Sequence, residues 1–534
     1  MKKYLNFILA VVSGLLLSAA WPLRGFVPLI FIALVPLLWA EHRIANGGKG
    51  RLFWLAFLAF FIWNVLTTWW VWYATPAAAG AYFLNALFMA TIFWFFHIAK
   101  TKLCNNCRSN LLLIPLWMAF EMLHYYWSVK WPWLNLGNVF STCHTWIQWY
   151  EFTGSAGGTL WVLLTNILIV NIIISFPKER IYKKLWAPAF ATLLLVLIPI
   201  IIGKVMYRNY EEQGDDTEVV VVQQNLDPWL EQYTATPKEI ADYNTQLAES
   251  VITPNTRFIV SSESAVQEGI WLNAVENSQS VRYFQTFLKR HPQTAFVIGA
   301  TTFEFVPKGT EDDFPARKFV DADTYYYMHN SALLIDTNDM QHRNKSKLTP
   351  GVEAIPSWMK FLKNFSVTMA VARGTLKTDP VAKNLKFDGH EVGVGICYES
   401  AFGGYMSQFT RKGADLLFVI TNDGWWRDTP GHRQHFEFSK LRAIENRRCI
   451  ARSANTGISG FINQHGDVLQ KTKYWERDVI RETLKANRHL TFYARHNDYL
   501  NRIAVGVTSL ICLALIIKLV LNGLKKQTSR SGKR

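Results

Sequence analysis

Apolar and polar positions divide the chain into stretches of two kinds. Seven almost uncharged apolar runs lie near 5–20, 27–40, 52–69, 81–98, 111–126, 157–176 and 185–205, and an eighth near 503–521. Runs of this length can cross a ~30 Å hydrocarbon core, the second being short for a full span. From 217 to about 480 the pattern changes to short β-branched runs at 218–222, 258–262, 295–299, 332–335, 392–396 and 416–421. Helical spacing separates them. Ile240, Tyr243, Leu247 and Ile252 mark a helix over 237–250, and Phe438, Leu441, Ile444 and Arg448 mark one over 435–450. Strands alternating with helices predict an α/β layered domain.

The loops between the apolar runs alternate in charge. One set holds Lys2 and Lys3; Arg43, Lys49 and Arg51; Lys100, Lys102 and Arg108; Lys178, Arg180, Lys183 and Lys184; and Lys525, Lys526, Arg530, Lys533 and Arg534. The other holds Arg24, nothing between Tyr73 and Gly80, and Lys130. By the positive-inside rule the first set is cytoplasmic, so both termini lie inside and 206 to about 498 lies outside. An alternative reading of the first twenty residues, with Leu17-Ser18-Ala19-Ala20 at its end, is a secretory signal peptide, whose removal leaves the large domain on the same side.

Composition fits this division. Of 534 residues, half are hydrophobic and 18% charged, too apolar a balance for a purely soluble protein. The formal charge of +16 is largely accounted for by the cytoplasmic loops, which removes most of the case for a nucleic-acid partner. Six cysteines at 104, 107, 143, 397, 449 and 512 make neither a dense disulfide framework nor a zinc pattern. Cys104 and Cys107 have metal-like spacing but no second pair beside them, so no metal or cofactor is expected.

Ionisable residues fall at strand ends. The run over 258–262 leads directly into Glu263, the run over 392–396 into Cys397, and Lys345 follows the strand ending at Ile335 after a short polar turn. Catalytic groups of α/β sheets gather at such ends. Singly each has a bland reading: a cysteine ending a buried strand is usually packing, and a loop Glu or Lys is usually solvated. Together they make chemical sense. A thiol is mostly protonated at neutral pH, so a carboxylate must take its proton, a role that suits Glu263. Attack on an ester or amide carbonyl creates an oxyanion, which a fixed cation and backbone N–H groups stabilise, a role that suits Lys345.

The chain resembles the apolipoprotein N-acyltransferases, a membrane-bound branch of the nitrilase superfamily, over nearly its whole length. The matching stretches are 219–225, Ser262-Glu263-Ser264-Ala265, Asn344-Lys345-Ser346-Lys347-Leu348, Gly395-Ile396-Cys397-Tyr398-Glu399 and Thr421-Asn422-Asp423-Gly424-Trp425-Trp426, with further support at 442–448, 454–459 and 131–137. The resemblance implies a nitrilase-like α-β-β-α sandwich inserted between the helices of an eight-helix membrane domain. It implies seven transmembrane helices over 1–205, an extracytoplasmic catalytic domain over 206–498, and a final helix with a basic tail over 499–534. It places base, lysine and nucleophile on Glu263, Lys345 and Cys397, supporting roles on Glu353, Tyr398 and Glu399, and substrate contact on Trp229, Trp425 and Trp426. For Glu353 and Glu399 a structural hydrogen-bonding role competes with a catalytic one. The implied substrates are a phospholipid donor and a diacylglyceryl-modified apolipoprotein acceptor, used by a monomer in the bacterial inner membrane with its catalytic domain periplasmic.

There are departures. Ser261-Ser262 stands where the family has Trp-Pro, Pro350-Gly351-Val352-Glu353 stands for Pro-Phe-Gly-Glu, and the Lys-Trp pair after the first strand is missing, although Trp229 and Tyr233 lie near. These changes bear on acyl-chain or headgroup preference more than on reaction class. Two rival readings are a membrane-tethered nitrilase or amidase and a non-enzymatic receptor or transporter. Eight spans exceed what a tether needs, and the spans carry few ionisable residues apart from Glu121 and His124, whereas ion-coupled transport usually needs several. Tryptophans 127, 131, 133, 146 and 149 crowd the loop before the sixth run, as an interfacial belt or a lipid-facing roof would require.

Overall fold

A computed structural model describes residues 4–23, 25–74, 79–104, 107–175, 183–310, 313, 315–354 and 375–531. Lys2, Lys3, Arg24, Lys178, Arg180, Lys533 and Arg534 lie outside the described residues, as does most of the loop after Tyr73. The side chains of Cys107, Arg108, Lys183, Lys184, Lys526 and Arg530 are also outside them.

The apolar runs form helices α1 (Leu5–Ala20), α2 (Val35–Ala45), α3 (Leu52–Thr68), α4 (Ala79–Leu103), α5 (Leu113–Tyr126), the single turn α6 (Tyr150–Thr153), α7 (Ser155–Ser175) and α8 (Lys183–Asn209). Among the described residues six helical stretches are long and apolar enough to cross a membrane: Val27–Ala45, Leu52–Tyr73, Gly80–Leu103, Ser155–Ser175, Leu185–Asn209 and Tyr499–Lys525. Two expected spans are shorter as α-helices, α1 with 16 residues and α5 with 14. A six-residue 3-10 stretch, Cys107–Leu112, precedes α5. At ~2 Å per residue it adds ~12 Å to the ~21 Å of the helix. The spans are also more ionic than expected: besides Glu121, the fully buried Glu41 of α2 accepts hydrogen bonds from Lys100 of α4 at 2.5 Å and pairs with His97 at 2.7 Å.

The α/β region holds two sheets. The first contains β1 (Asp215–Gln223), β2 (Thr256–Val260), β3 (Val266–Trp271), β4 (Ala295–Phe305), β5 (Arg317–Lys318), β6 (Tyr325–Ile335) and β7 (Met340–Asn344). The second contains β8 (Leu385–Phe387), β9 (His390–Ile396), β10 (Leu416–Thr421), β11 (Ile450–Ala454), β12 (Gly460–Ile462) and β13 (Val468–Lys471). The last strand, β14 (Asp478–Ala486), returns to pair antiparallel with β1 and completes the order β14-β1-β2-β4-β6-β5. The second sheet runs β13-β12-β11-β10-β9-β8.

Side-chain alternation explains the continuous valine run of β1. Val220 and Val222 pack under helices α9 (Pro237–Glu249) and α10 (Gln279–Leu288), whereas Val219 and Val221 face the second sheet. Both faces of the strand are therefore buried. Phe258 of β2 meets Phe418 of β10 edge-on at 5.3 Å across the sheet interface. Helices α11 (Gly403–Arg411) and α12 (Pro430–Asn446) contact the second sheet, giving helix, sheet, sheet, helix. The turn α13 (Phe492–His496) and the long helix α14 (Tyr499–Ser531) follow, and α14 packs against α5.

Two local expectations are corrected. The helix expected over 435–450 starts at Pro430, with the Thr429 hydroxyl capping Gly431 N, and stops at Asn446 because Arg447 turns left-handed at φ +47. Lys345 follows not a simple turn but an additional strand, β7, paired antiparallel with β6. Its polar run Gln341-His342-Arg343-Asn344 lacks the apolar alternation that marks a strand.

Candidate active site

Strand ends bring the expected side chains together. Beyond β2 the chain turns through Glu263 and Ser264, the latter at φ +52. There it crosses β4 so closely that a Cβ at Gly299 would lie 2.5 Å from Ser264 N and 2.6 Å from Glu263 Cα. Only glycine admits that approach. Cys397 follows β9 at φ +48, a left-handed conformation that an L-residue adopts only when its surroundings impose it.

Lys345 Nζ donates to Glu263 Oε1 at 2.9 Å and to Glu353 at 2.9 Å. Asn330 Nδ2 spans the same carboxylates, at 2.8 Å from Glu263 and 3.0 Å from Glu353, while Asn422 N donates to Glu263 Oε2 at 3.1 Å. Burial pushes the Glu263 carboxyl above the usual carboxylate range, the neighbouring Lys345 charge only partly offsetting it and Glu353 adding to it. Burial alone would lower the Lys345 ammonium, but Glu263 and Glu353 hold it well up, so it stays charged. Burial and the Glu263 charge raise the Cys397 thiol more than Lys345 lowers it. The resting cysteine is therefore a thiol beside a carboxylate of raised basicity.

Tyr398 and Glu399 point elsewhere. Glu399 accepts both arms of Arg343, at 2.6 and 2.9 Å, and backbone N–H groups of Ile396 at 2.8 Å and Ser346 at 2.6 Å. It thereby ties the residue before Cys397 to the residue after Lys345. Burial would raise this carboxyl, but Arg343 and the backbone donors hold it below the usual range. Tyr398 donates its hydroxyl to Lys130 O at 2.8 Å, joining the cysteine turn to the loop after α5. The tryptophans divide: Trp425 meets Trp229 at 4.6 Å and Tyr233 at 6.2 Å, whereas Trp426 packs on Trp70 at 4.7 Å and Trp133 at 5.8 Å.

A second buried network lies behind Cys397. His435 Nε2 contacts Cys397 O at 3.1 Å and Ser400 Oγ at 2.8 Å, and its Nδ1 faces Asp423 Oδ1 at 3.0 Å and Arg452 Nη2 at 2.9 Å. A carbonyl only accepts, so Nε2 donates to it. Burial and then the Arg452 charge lower the His435 pKa, keeping the ring neutral. Sequence reasoning missed His435, Arg452, Arg343, Asn330 and the donor at Asn422. A signal existed for Asn330, the centre of a polar His329-Asn330-Ser331 break between the aromatic and aliphatic ends of its strand. For His435, on a helix remote in sequence from Cys397, there was none.

The loop between α5 and α7 closes one side. Trp133 Nε1 donates to Gln434 at 2.8 Å beside His435, and Arg447 Nε donates to Glu151 at 2.5 Å. The membrane helices and the α/β layers are thus joined at the candidate site.

The α/β region is of the carbon-nitrogen hydrolase class: the family model of that description, "Carbon-nitrogen hydrolase", matches residues 230–489. A second, "Apolipoprotein N-acyltransferase N-terminal domain", matches residues 13–168. Together with curated relatives that align over most of its length, these matches place the chain in the apolipoprotein N-acyltransferase family. The apolipoprotein N-acyltransferase of Chlorobaculum tepidum is 27% identical, covering 96% of this chain and 97% of that protein. That of Geobacter metallireducens is 25% identical over 92% of each. Among solved structures, Saccharomyces cerevisiae Nit3, a member of branch 10 of the nitrilase superfamily, aligns with 54% of this chain and 95% of that one at 16% identity and a TM-score of 0.35.

Proposed function

We propose that this chain N-acylates the N-terminal S-diacylglyceryl cysteine of bacterial apolipoproteins, the last step of lipoprotein maturation, using a phospholipid as donor and a Cys397 thioester as intermediate. The observation that carries the reading is the Glu263–Lys345–Glu353 cluster at 2.9 Å contacts in the electrostatic reach of Cys397. Cys397 sulfur attacks the phospholipid ester carbonyl while Glu263 takes the thiol proton, and Lys345 Nζ with a backbone N–H stabilises the oxyanion. Collapse breaks the ester C–O bond, and Glu263 returns the proton to the departing lysophospholipid oxygen. The acceptor amine then attacks the thioester, Glu263 takes its proton, and sulfur leaves to be reprotonated as thiol. The product is an amide, and the enzyme returns to its starting state.

Eight spans, counting α1 and the 3-10-extended α5, hold the α/β region against the bilayer. By the loop charges it faces the periplasm, in a monomer of the inner membrane. Glu353 shares Lys345 with Glu263, whereas Tyr398 and Glu399 act as positioning groups. Trp229 and Trp425 form one substrate wall, and Trp426 with Trp133 and Trp70 another, next to the membrane helices. These rings exclude water, so that the thioester survives until an amine arrives.

The test is incubation of the purified protein with phospholipid alone, followed by mass spectrometry of the Cys397 peptide. An acyl adduct should form, persist in buffer, and discharge only on addition of a peptide bearing a free N-terminal S-diacylglyceryl cysteine. Rapid fatty-acid release without that peptide would support the hydrolase reading instead.

A further inference from the structure

At the far end of α3 from the candidate site lies a cleft of about 580 Å³, lined among others by Arg51, Trp54, Thr91, Trp94 and His97. Helix α3 relates the two places. Its last turns run into Trp70, which packs on Trp426 at 4.7 Å, whereas Arg51 immediately precedes its first residue. Its 17 residues separate them by ~25 Å at ~1.5 Å per residue. The cleft is therefore on the opposite membrane face from the Cys397 turn and cannot present a donor ester to it.

Its chemistry is that of an anion site at a lipid boundary. The Arg51 side chain is exposed and has no hydrogen-bond or ion-pair partner among the described residues. Lys49 lies in the α2–α3 connection and Arg43 in the last turn of α2, where its side chain donates to a neutral group, Asn6 Oδ1, at 2.9 Å. The nearby carboxylate, Glu41, is fully buried and already satisfied by Lys100 and by His97 Nδ1. That contact turns the other edge of the His97 ring away from Glu41, and the ring lines the cleft. The Arg51 charge faces the cleft with no exposed acidic residue on its wall. At its rim the rings of Trp54 and Trp94 are 52% and 44% exposed on an apolar helix surface, the placement favoured at the headgroup level of a bilayer.

We propose that this cleft binds the phosphate of one anionic phospholipid in the leaflet opposite the candidate active site, through Arg51, with the lipid's glycerol and upper chains against Trp54 and Trp94. The volume fits a headgroup and glycerol, leaving the acyl chains on the outer face of α3 and α4. The site is a separate lipid contact, so it does not depend on the acyl-transfer reading.

The test uses the full chain in nanodiscs of phosphatidylcholine doped with phosphatidylglycerol, followed by release into native mass spectrometry. The wild type should retain one phosphatidylglycerol. Arg51→Glu and Arg51→Gln should lower that retention about fivefold or more, the scale of one charged contact at a membrane surface, with Arg51→Lys between. Lys102→Glu, which changes an exposed charge outside the cleft lining, should retain the lipid as the wild type does. Glycerol 3-phosphate should not compete at matched concentration, because it lacks the chains. Wild-type retention in both Arg51→Glu and Arg51→Gln, equal loss in Lys102→Glu, or displacement by glycerol 3-phosphate would each overturn the proposal. Melting temperatures of the variants in phosphatidylcholine alone identify any that fail to fold, and Trp54→Ala with Trp94→Ala then probes the same cleft from its apolar wall, with the same loss expected.

Discussion

Glu263 and Glu399 are both buried glutamates close to the Cys397 turn, and they are held in opposite ways. Glu399 receives a bidentate guanidinium and backbone N–H groups, which hold its carboxyl below the usual range. Glu263 shares one ammonium with a second carboxylate and receives a single backbone donor, so burial prevails and its carboxyl rises. The number and charge of donors, not burial as such, separates a carboxylate able to accept a proton from one locked as a brace. The same contrast divides the two sides of Cys397: an ionisable cluster beside it, and behind it the neutral His435, whose Nδ1 accepts from Arg452, itself paired with Asp423.

The largest effects should come from the first side. Cys397→Ala and Glu263→Gln should each reduce acyl-adduct formation by ~10³-fold or more while melting temperature changes little, because each removes a group to which the proposed reaction gives a bond-making or proton-transfer role. Substitution of Cys104, Cys143, Cys449 or Cys512, all free thiols, should leave adduct formation within about twofold, as expected for residues outside the reacting set. Adduct formation by Cys397→Ala would erase the distinction between the two sides.

Glu399→Gln should act in the reverse sense. It leaves Arg343 buried without a full counter-charge and should destabilise the protein by about 3–5 kcal/mol, read as a lower denaturation midpoint. Because the folded carboxyl is depressed, its stabilisation is present above the unfolded carboxylate range and is lost as pH falls through the folded value. The variant should therefore lose part of the wild type's acid sensitivity. A variant of wild-type stability with no adduct would instead put Glu399 among the reacting groups.

His435→Ala should slow acylation by ~10–100-fold, the scale of one lost hydrogen bond to a strained backbone, and His435→Gln should recover part of it. Equal losses in both variants would show that ring packing against Trp133, not the donor to Cys397 O, sets the effect. The smallest effect is a displacement in pH. Since Glu263 must be deprotonated to act as base and its carboxyl is raised, the acid limb of acylation should fall above about 4.3, the ordinary glutamate value. A limb at or below that value would place the base elsewhere.

The apolar runs and the strand ends leading into Glu263 and Cys397 were legible in the sequence because hydropathy and β-branched periodicity are local properties. The same locality explains what was not. Strand β7 before Lys345 is polar in sequence and exists because β6 offers it a partner. Among the described residues six apolar helical stretches meet the length for a span, and the extension of α5 by a 3-10 stretch depends on backbone geometry that hydropathy does not encode. Residue types alone left Glu353 and Glu399 balanced between structural and chemical roles. The fold set Glu353 on Lys345 and Glu399 on Arg343, a division made by which cation each oxygen meets across the packed sheets. His435 reached Cys397 O only through the packing of α12 against the strand end, a contact between residues 38 apart in the chain. Composition and spacing thus determined which kinds of element and chemistry the chain carries. The tertiary structure decided which charges face one another, because pairing and burial are set by distances that sequence separation does not fix.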